Sequence, residues 1–374
     1  MLTDKELNGI TKHDLTTPAL LLDLDLFEMN IEKMGQHASK SAINLRPHGK
    51  SHKCPEIALR QIKAGALGLS VATIREAEAM AAAGVTGLLI TSELVGRSKI
   101  ERLMRLVGKQ PETMSVVDNL PHAQQLSDAA VAAKVNLNLM LDVDPGGRRT
   151  GVPGGDGAMA LAEKILKLPN LKLRGLHAYS GASAHISGFE ARREHSTKAM
   201  TPALETFARL KQIGLPVEIL SGGSTGTYNI DTAFEGMTEL QVGSYVFMDV
   251  EYRAIGSQSG AVYDDFAPSL SVLATVISKN YHDRATVDAG FKAFATDSEC
   301  GPEIKGMTGV SYSFNGDEHG ILNLENPSRE IKVGDRLEFI VPHCDPTVNL
   351  YDRIYCLRGE KVEAVWRTVG RYGD

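Results

Sequence analysis

The chain has 374 residues, 43% of them hydrophobic and 23% charged, with a formal net charge of −6 at pH 7. Charges of both signs are interspersed, which argues against a nucleic-acid-binding or polybasic membrane role and indicates a small-molecule partner. The N-terminus lacks a signal-peptide pattern, and no stretch reaches the roughly 18 apolar residues of a membrane span, so we expect a cytoplasmic protein.

Short apolar runs alternate with helical segments from about residue 18 to residue 250. Helices are predicted over segments such as 74–83 and 188–213. The pattern predicts strands at residues 19–23, 68–72, 87–91, 115–118, 137–143, 173–179 and 217–220. Repeated βα units predict a parallel sheet, and about eight of them close into a (β/α)8 TIM-type barrel.

The pattern changes after residue 252, where helical periodicity is nearly lost. Strands joined by turns are predicted at 270–277, 284–288, 336–341 and 353–357. We therefore predict an α/β protein with a barrel over 16–252 and a C-terminal β domain over 253–374, on which residues 1–15 pack. Four scattered cysteines without paired spacing indicate free thiols.

Lys50 ends an apolar run, is framed by His48 and His52, and precedes a predicted helix. A lysine at the end of a barrel strand lies at the mouth of the fold, where desolvation and neighbouring cations make its amine able to form a Schiff base with an aldehyde. The alternative is a surface lysine in a βα loop, which is the commoner case for an isolated lysine.

The segment 220–227 is rich in glycine, serine and threonine and follows the apolar run 217–220. Without Cβ atoms, backbone N–H groups can approach a phosphate closely, and hydroxyls add further donors. The segment 241–245 repeats this composition about twenty residues later, one βα unit further along a barrel, where phosphates are often held. A Schiff-base lysine on an early strand with a phosphate cradle on late strands describes pyridoxal 5'-phosphate.

The predicted β domain contains His343 and Asp345 within the segment 341–347. On an extended segment, residues two apart point to the same side, so the imidazole and the carboxylate would converge on one pocket. They would form an incomplete site for Mn2+, Mg2+ or Zn2+, completed by water or substrate. A proline-braced turn is the commoner explanation of an isolated pair. Asp317 is a further acidic candidate, with a solvated loop as its alternative.

Five segments together resemble the D-threonine aldolase and 3-hydroxy-D-aspartate aldolase family, to which D-serine dehydratase is related. They lie in the family's order over nearly the whole chain, at residues 46–56, 222–226, 238–249, 317–320 and 343–347. The resemblance implies a fold-type III pyridoxal phosphate enzyme similar to alanine racemase. It also implies a carbon–carbon lyase, usually a homodimer, that acts on a small D-3-hydroxy amino acid.

The resemblance assigns a role to each matching residue. Lys50 would be the Schiff-base lysine, Tyr179 would lie beside the cofactor ring, and His185 would serve the substrate hydroxyl. Arg149 would contact the cofactor's phenolic oxygen, with Arg148 as the second choice. Asp317 would lie close to the active site, and His343 and Asp345 would bind the metal. Residues around the cofactor and its phosphate would be Ser221, Gly222, Gly223, Thr225, Gly243, Ser244 and Tyr245, the last of which could equally be a core aromatic.

The implied reaction is retro-aldol cleavage of a D-threonine-like substrate or 3-hydroxy-D-aspartate to glycine and an aldehyde. The metal would lower the pKa of the β-hydroxyl so that His185 can remove its proton. The alternative is D-serine or D-threo-3-hydroxyaspartate dehydratase activity, because Thr73 and Ser180 depart from the aldolase pattern. A His-x-Asp pair, rather than the His-x-Cys of dehydratases, favours the aldolase.

Two further alternatives are less consistent with the sequence. A non-catalytic pyridoxal phosphate carrier resembles the barrel alone and gives no purpose to the β domain. An alanine racemase transfers a single proton, and a pair of metal-binding residues gives no advantage for that reaction.

Overall fold

A computed structural model of the chain describes residues 9–372. The strands are β1 (Ala19–Asp23), β2 (Asn44–Leu45), β3 (Leu69–Val71), β4 (Leu88–Ile90), β5 (Met114–Val117), β6 (Leu137–Asp144), β7 (Val152–Pro153), β8 (Leu171–Ala178), β9 (Ile219–Gly222), β10 (Glu239–Leu240), β11 (Leu270–Ser278), β12 (Arg284–Val287), β13 (Glu303–Ile304), β14 (Val310–Phe314), β15 (Gly320–Leu324), β16 (Arg336–Ile340), β17 (Arg353–Arg358) and β18 (Lys361–Arg367). The helices are α1 (Leu24–Lys40), α2 (Pro55–Lys63), α3 (Ile74–Ala82), α4 (Arg97–Lys109), α5 (Leu120–Ala133), α6 (Asp156–Ile165), α7 (Gly181–Ala184), α8 (Phe189–Gln212), α9 (Tyr228–Asp231), α10 (Val250–Arg253) and α11 (Cys344–Leu350).

Eight parallel strands form the predicted barrel, in the order β2-β10-β9-β8-β6-β5-β4-β3. The ring closes between β2 and β3, where the N–H of Leu67 donates to the carbonyl of Leu45 at 2.8 Å and the N–H of Ser70 donates to the carbonyl of Pro47 at 2.8 Å. The predicted (β/α)8 barrel is confirmed. Because all strands run parallel, their carboxyl ends meet at one rim, where barrel active sites lie.

The described chain folds into two compact units. The barrel unit holds residues 34–243 together with 369–372, and the second unit holds 9–33 together with 244–368. The prediction that β1 belongs to the βα series is wrong, because β1 pairs antiparallel with β11 and parallel with β17 in the second unit. A strand followed by a helix has the same sequence pattern in either sheet, since its partner strands lie more than 240 residues away.

The second unit is built on a mixed sheet of the order β14-β15-β12-β11-β1-β17-β18, with β16 pairing β11 and β13 pairing β16. Its apolar cluster includes Leu21, Leu273 and Leu357. Of the N-terminal segment predicted to pack here, residues 1–8 lie outside the described residues. Lys12 makes an ion pair with Glu338 at 2.9 Å. Within 9–372, no helix is both long and apolar enough to cross a membrane.

A buried ion pair lies where β2 and β10 meet in the barrel. The guanidinium of Arg46 donates to both carboxylate oxygens of Glu239, at 2.7 and 2.8 Å, and the two side chains are 6% and 3% exposed. Arg46 also donates to the carbonyl of Gly87. This fork-to-fork geometry satisfies both charged groups inside the ring.

Residues after β18 return to the barrel unit and pack on the segment that follows Lys50. The N–H of Val369 donates to the carbonyl of Lys53 at 2.7 Å. Gly370 has φ +67°, and a Cβ there would lie 2.9 Å from the Cα of Glu76. Glu76 in turn is paired with the ammonium of Lys53. The tail therefore closes over a buried ion pair.

Candidate active site

Lys50 lies at the rim formed by the carboxyl ends of the barrel strands. It belongs to the 3-10 turn Gly49–Ser51 that follows β2, and its side chain is partly buried. The N–H of Lys50 donates to Nδ1 of His48 at 3.3 Å, and Nε2 of the same ring is 3.0 Å from Oγ1 of Thr91. These contacts fix the backbone of the lysine at the predicted position in the fold.

A cavity of about 800 Å³ lies within the barrel unit beside the ends of β6 and β8. Its walls include Asp142, Arg149, His177, Tyr179 and His195. The guanidinium carbon of Arg149 is 5.5 Å from the centroid of the Tyr179 ring, a cation–π distance. Two residues predicted to contact the cofactor are thus brought together, and Arg148 does not line this cavity.

Asp142 and His177 form a buried pair in this cavity wall. Oδ1 of Asp142 is 2.6 Å from Nδ1 of His177, and the two residues are 3% and 2% exposed. Burial opposes the charge on Asp142, but the interaction with His177 outweighs it and lowers the pKa of that carboxyl. Nε2 of His177 is buried and has no hydrogen-bond partner among residues 9–372.

Glu93 follows β4 and lies close to this pair. Burial, followed by the negative charges of Asp142 and Asp118, raises the pKa of Glu93 to about 7. Near neutral pH Glu93 is therefore partly protonated and can donate a hydrogen bond to Asp142.

The glycine-rich segment leaves β9 and is buried throughout 221–228. Oγ of Ser221 accepts a hydrogen bond from Nε2 of Gln241 at 2.9 Å. Gly223 has φ +75°, and a Cβ there would lie 2.8 Å from a methyl of Leu240, so only glycine fits this turn. Thr225 starts the 3-10 turn Thr225–Thr227. The segment is thus a buried, tight turn at the end of β9.

Hydrogen bonds among buried hydroxyl groups and one carboxyl group stabilise this turn. Oγ1 of Thr227 accepts from the N–H of Ser224 at 3.2 Å and donates to Asp231. Ser196 donates to the other oxygen of Asp231 at 2.6 Å. Burial raises the pKa of Asp231 to about 6.

The second glycine-containing segment spans the limit between the two units. Gly243 is the last residue of the barrel unit's main segment, and its missing Cβ faces the carbonyl of His48 at 3.4 Å. Ser244 and Tyr245 belong to the second unit and are buried. Tyr245 packs edge-on against Phe266 with ring centroids 5.7 Å apart, as the core-aromatic alternative predicts.

The prediction that His343 and Asp345 share one side of an extended segment is wrong. Cys344–Leu350 is helix α11, with His343 as its N-cap and Asp345 in its first turn. Pro346 is tolerated there because N–H groups of the first turn have no partner within the helix. The hydroxyl of Thr347 donates to the carbonyl of His343 at 2.8 Å and stabilises the turn.

His343 nevertheless lies among carboxylates. Its Nδ1 is 2.8 Å from Oδ2 of Asp297 and 3.8 Å from Oε2 of Glu251. Burial opposes protonation, but the negative charges of Asp345 and Asp249 outweigh it and raise the pKa of His343. Within 9–372, no group of three or more His, Cys, Asp or Glu side chains is arranged to hold a metal ion.

Two predicted catalytic residues lie in loops. His185 follows α7 directly and is partly buried in the barrel unit. Asp317 is exposed between β14 and β15 in the second unit, 3.9 Å from the ammonium of Lys292. The structure places Asp317 on an exposed turn with charged neighbours, and its proximity to the active site stays a prediction.

The sequence-based prediction missed Glu93, Asp142 and His177. Asp142 and His177 lie within apolar strands, where a polar residue in the sequence is indistinguishable from a satisfied core residue. The usable signal was the recurrence of a charged or imidazole side chain at the end of consecutive strands, because such ends share one rim.

Comparisons with known proteins cover nearly the whole chain. The family model of the alanine racemase N-terminal domain matches residues 22–251, and that of a serine dehydratase domain matches 269–357. A D-threonine aldolase from Arthrobacter sp. is 38% identical over 95% of this chain and 92% of the relative. A 3-hydroxy-D-aspartate aldolase from Paracoccus denitrificans is 35% identical over 98% of this chain and 94% of the relative.

A dehydratase and a solved aldolase structure complete the comparison. The D-threo-3-hydroxyaspartate dehydratase from Delftia sp. is 28% identical over 94% of this chain and 97% of its own length. The crystal structure of D-threonine aldolase from Filomicrobium marinum is 36% identical, with a TM-score of 0.92 over 96% of this chain and 97% of that one.

Proposed function

Because this chain belongs to the D-threonine aldolase and 3-hydroxy-D-aspartate aldolase family of fold-type III pyridoxal phosphate enzymes, we propose that it cleaves a D-3-hydroxy amino acid to glycine and an aldehyde. The observation that carries the proposal is the position of Lys50, fixed by His48 at the carboxyl end of a barrel strand. A lysine held there can anchor an aldehyde cofactor covalently.

Residues of the barrel unit fit pyridoxal 5'-phosphate. The 800 Å³ cavity has room for a cofactor and its walls carry Arg149 and Tyr179. The buried Nε2 of His177, without a partner among residues 9–372, is an acceptor or donor that a ligand can satisfy. Gly223, with φ +75°, allows the tight turn after β9 on whose backbone N–H groups we place the phosphate.

The described residues form no complete metal site, but the imidazole of His343 lies near the carboxylates of Asp345, Asp297 and Glu251. These are donor types that Mn2+, Mg2+ and Zn2+ accept. The negative charges of these carboxylates make the surroundings of His343 anionic, which attracts a cation. His343 and Asp345 would hold the ion, with water or substrate as the remaining ligands.

Each residue of the proposed active site has its own role in the reaction. Lys50 would anchor the cofactor through Nζ, the guanidinium of Arg149 would bind its phenolic oxygen, and residues from Gly222 to Thr225 would hold its phosphate. Tyr179 holds the ring in orientation, and His185 accepts the proton of the substrate β-hydroxyl. When bound, the cofactor supplies an electron sink for breaking the Cα–Cβ bond and the metal lowers the pKa of the β-hydroxyl.

The dehydratase alternative loses part of its support in the structure. Thr73, which departs from the aldolase pattern, is the N-cap of α3, and its Oγ1 accepts the N–H of Glu76 at 3.2 Å. A threonine is a preferred residue at that position for helix stability alone. Its presence therefore needs no catalytic explanation.

The proposed activity is tested with purified protein, pyridoxal phosphate and Mn2+. We expect D-threonine or 3-hydroxy-D-aspartate, tested in parallel, to give glycine and the matching aldehyde in equal amounts, with no cleavage of L-threonine. Lys50→Ala should lose both glycine formation and the visible absorption band of the bound cofactor, because the covalent anchor is gone. Lys63→Ala, which removes an exposed lysine of α2, should retain both.

Two outcomes contradict the proposal. Ammonia and a keto acid as products would assign the chain to the dehydratases. Absence of any product with a cofactor-loaded protein would remove the aldolase assignment altogether.

We also propose that the protein is a cytoplasmic homodimer. Its four cysteines are free thiols, three of them buried, which suits a reducing compartment. Light scattering on the purified protein tests the dimer.

A further inference from the structure

Four strand ends of the barrel bring together side chains that the proposed reaction does not use. Glu93 follows β4, Asp118 follows β5, Asp142 lies near the end of β6, and His177 lies near the end of β8. Strands β6 and β8 are direct neighbours, and their register places Asp142 opposite His177. The arrangement is therefore imposed by the ring itself rather than by a mobile loop.

The contact between Asp142 and His177 is short and buried from solvent. Nδ1 and Oδ1 are 2.6 Å apart, within the range of a charge-assisted hydrogen bond, and both residues are at least 97% buried. An ionised Asp142 can only accept, so Nδ1 must carry the proton and donate it. In the neutral imidazole, Nε2 is then an acceptor.

Nε2 of His177 is left with no hydrogen-bond partner among residues 9–372. A buried polar atom without a partner is destabilising, so such an atom in a cavity wall indicates a group that a ligand brings. His177 shares its wall with Arg149 and Tyr179, the two residues that match the family's cofactor contacts. The missing partner therefore belongs to the ligand of this cavity.

Glu93 is a third titratable group beside Asp142 and His177. It hydrogen-bonds Asp142 and is partly buried beside the charges of Asp142 and Asp118. When protonated, Glu93 donates to Asp142 and adds no charge to the cluster. When ionised, it can no longer donate, and it sets a second negative carboxylate against Asp142.

None of the other polar groups near this cluster accounts for a change of protonation near neutral pH. Thr150 also hydrogen-bonds Asp142 but does not titrate. His122, on α5, lies near Asp118, and burial lowers its pKa; its Nε2 is 3.3 Å from the carbonyl of Leu94. Asp144 and Arg149 line the same cavity. Glu93 is the carboxyl whose protonation changes near neutral pH, since burial raises its pKa to about 7.

We propose, resting on the proposed function, that Glu93, Asp142 and His177 form one positioning unit for the cofactor. Protonated Glu93 donates to Asp142, Asp142 accepts Nδ1–H of His177, and Nε2 of the same ring is the acceptor toward pyridoxal phosphate in the cavity. Ionisation of Glu93 removes its donation to Asp142 and places a further negative charge near an anionic cofactor, which weakens cofactor binding.

The first test is the tautomer of His177 in the cofactor-free protein, read from the ring 15N resonances of 15N-histidine-labelled protein. His177→Gln assigns the signal by its disappearance. Near pH 7 we expect a protonated Nδ1 and an unprotonated Nε2 in the wild type and in Glu93→Gln, whose amide keeps a donor toward Asp142. Asp142→Asn should lose this single tautomer, because its amide can donate to Nδ1 as well as accept from it.

The second test is the dissociation constant of pyridoxal phosphate without substrate, measured from pH 6 to pH 8.5. Asp142→Asn should bind the cofactor at least about tenfold more weakly than the wild type, which corresponds to one hydrogen bond. The dissociation constant of the wild type divided by that of Glu93→Gln should rise as the pH increases, with a midpoint near pH 7. The reason is that only the wild type carries the titrating carboxyl. Glu78→Gln, the same change at a carboxyl paired with Arg102 outside the cavity, should follow the wild type.

A protonated Nε2 in the wild type overturns the proposal, as does a constant ratio between the wild type and Glu93→Gln over this pH range. If Asp142→Asn does not fold, the comparison of the wild type with Glu93→Gln still tests the proposal. Neither readout depends on cleavage of D-threonine. Cleavage with the wrong tautomer refutes only this inference, whereas the expected tautomer and binding without cleavage refute only the proposed activity.

Discussion

Asp231 carries a titration that affects folding stability rather than chemistry. It is fully buried below the glycine-rich turn, with a pKa raised by burial from 3.8 to about 6. Between about pH 4 and pH 6 the folded state keeps a proton that the unfolded chain has lost, so stability falls as pH rises through this window and stays reduced above it.

Asp231→Asn removes this titration while keeping the shape of the side chain. We expect the free energy of unfolding of the variant, minus that of the wild type, to increase by roughly 3 kcal/mol between pH 4 and pH 7, since each unit of pKa shift is about 1.4 kcal/mol. Urea denaturation at several pH values measures the difference. Parallel pH curves for the two proteins would contradict the assignment.

The predicted site residues differ in how well the structure agrees with their predicted arrangement. The sequence predicted that Arg149 and Tyr179 lie at the cofactor, and the structure places these two side chains beside each other. It failed for His343 and Asp345, because proline in a first helical turn looks the same in sequence as proline in an extended turn. The roles of these residues in the active site stay predictions until Lys50→Ala and its control are assayed.

At the scale of elements, the ion pair between Arg46 and Glu239 links β2 to β10. Glu239→Leu alone should lower the free energy of unfolding by about 3–5 kcal/mol, because it leaves a buried guanidinium without its carboxylate. The double variant Arg46→Met/Glu239→Leu should recover most of that loss, since no unpaired charge remains. Chemical denaturation of the single and double variants measures both effects.

An exposed pair on α4 provides the matched comparison. Arg97 and Glu101 are paired at 2.7 Å but are 91% and 50% exposed. Glu101→Leu should change stability little because solvent screens that pair. If Glu239→Leu behaved in the same way, the pair at the β2–β10 contact would have no structural role.

The same two strands show which elements a sequence pattern cannot resolve. The prediction found six barrel strands at their observed positions, but β2 and β10 each contain two residues. Two residues cannot display a periodicity, so these strands are defined by their neighbours in the ring. Their presence was implied only through Lys50 and the segment 241–245, which follow them.

For the whole molecule, the tail after β18 provides a test of how the barrel unit is completed. Gly370→Ala should release Val369 from Lys53, because a Cβ at φ +67° would press on the backbone of Glu76. We expect faster hydrogen exchange at the Val369 amide and a loss of about 1–3 kcal/mol in local stability.

Gly359→Ala is the matched control for this prediction. Gly359 also has a positive φ, +61°, but nothing lies within 4 Å of its missing Cβ. The control carries the same backbone strain without a clash, and it should leave exchange at Val369 unchanged. Equal exchange in the two variants would show that the tail is not held by the fit of Gly370 against Glu76.

The whole-molecule organisation was the least accessible to sequence reasoning. The change of pattern near residue 252 correctly indicated a second, β-rich part of the chain, and the strands predicted there match β11, β12, β16 and β17. The pattern could not reveal that β1 belongs with them, because pairing between residues so distant in sequence leaves no local signature.

The chain passes between the two units at three places, after residues 33, 243 and 368. Neither unit is therefore a single stretch of the coding sequence. A chimera that takes its barrel unit from this chain and its other unit from a relative needs splice points at all three positions. One built with a single junction near residue 252 would combine the barrel with a foreign tail and leave the carbonyl of Lys53 facing a sequence that did not evolve with it.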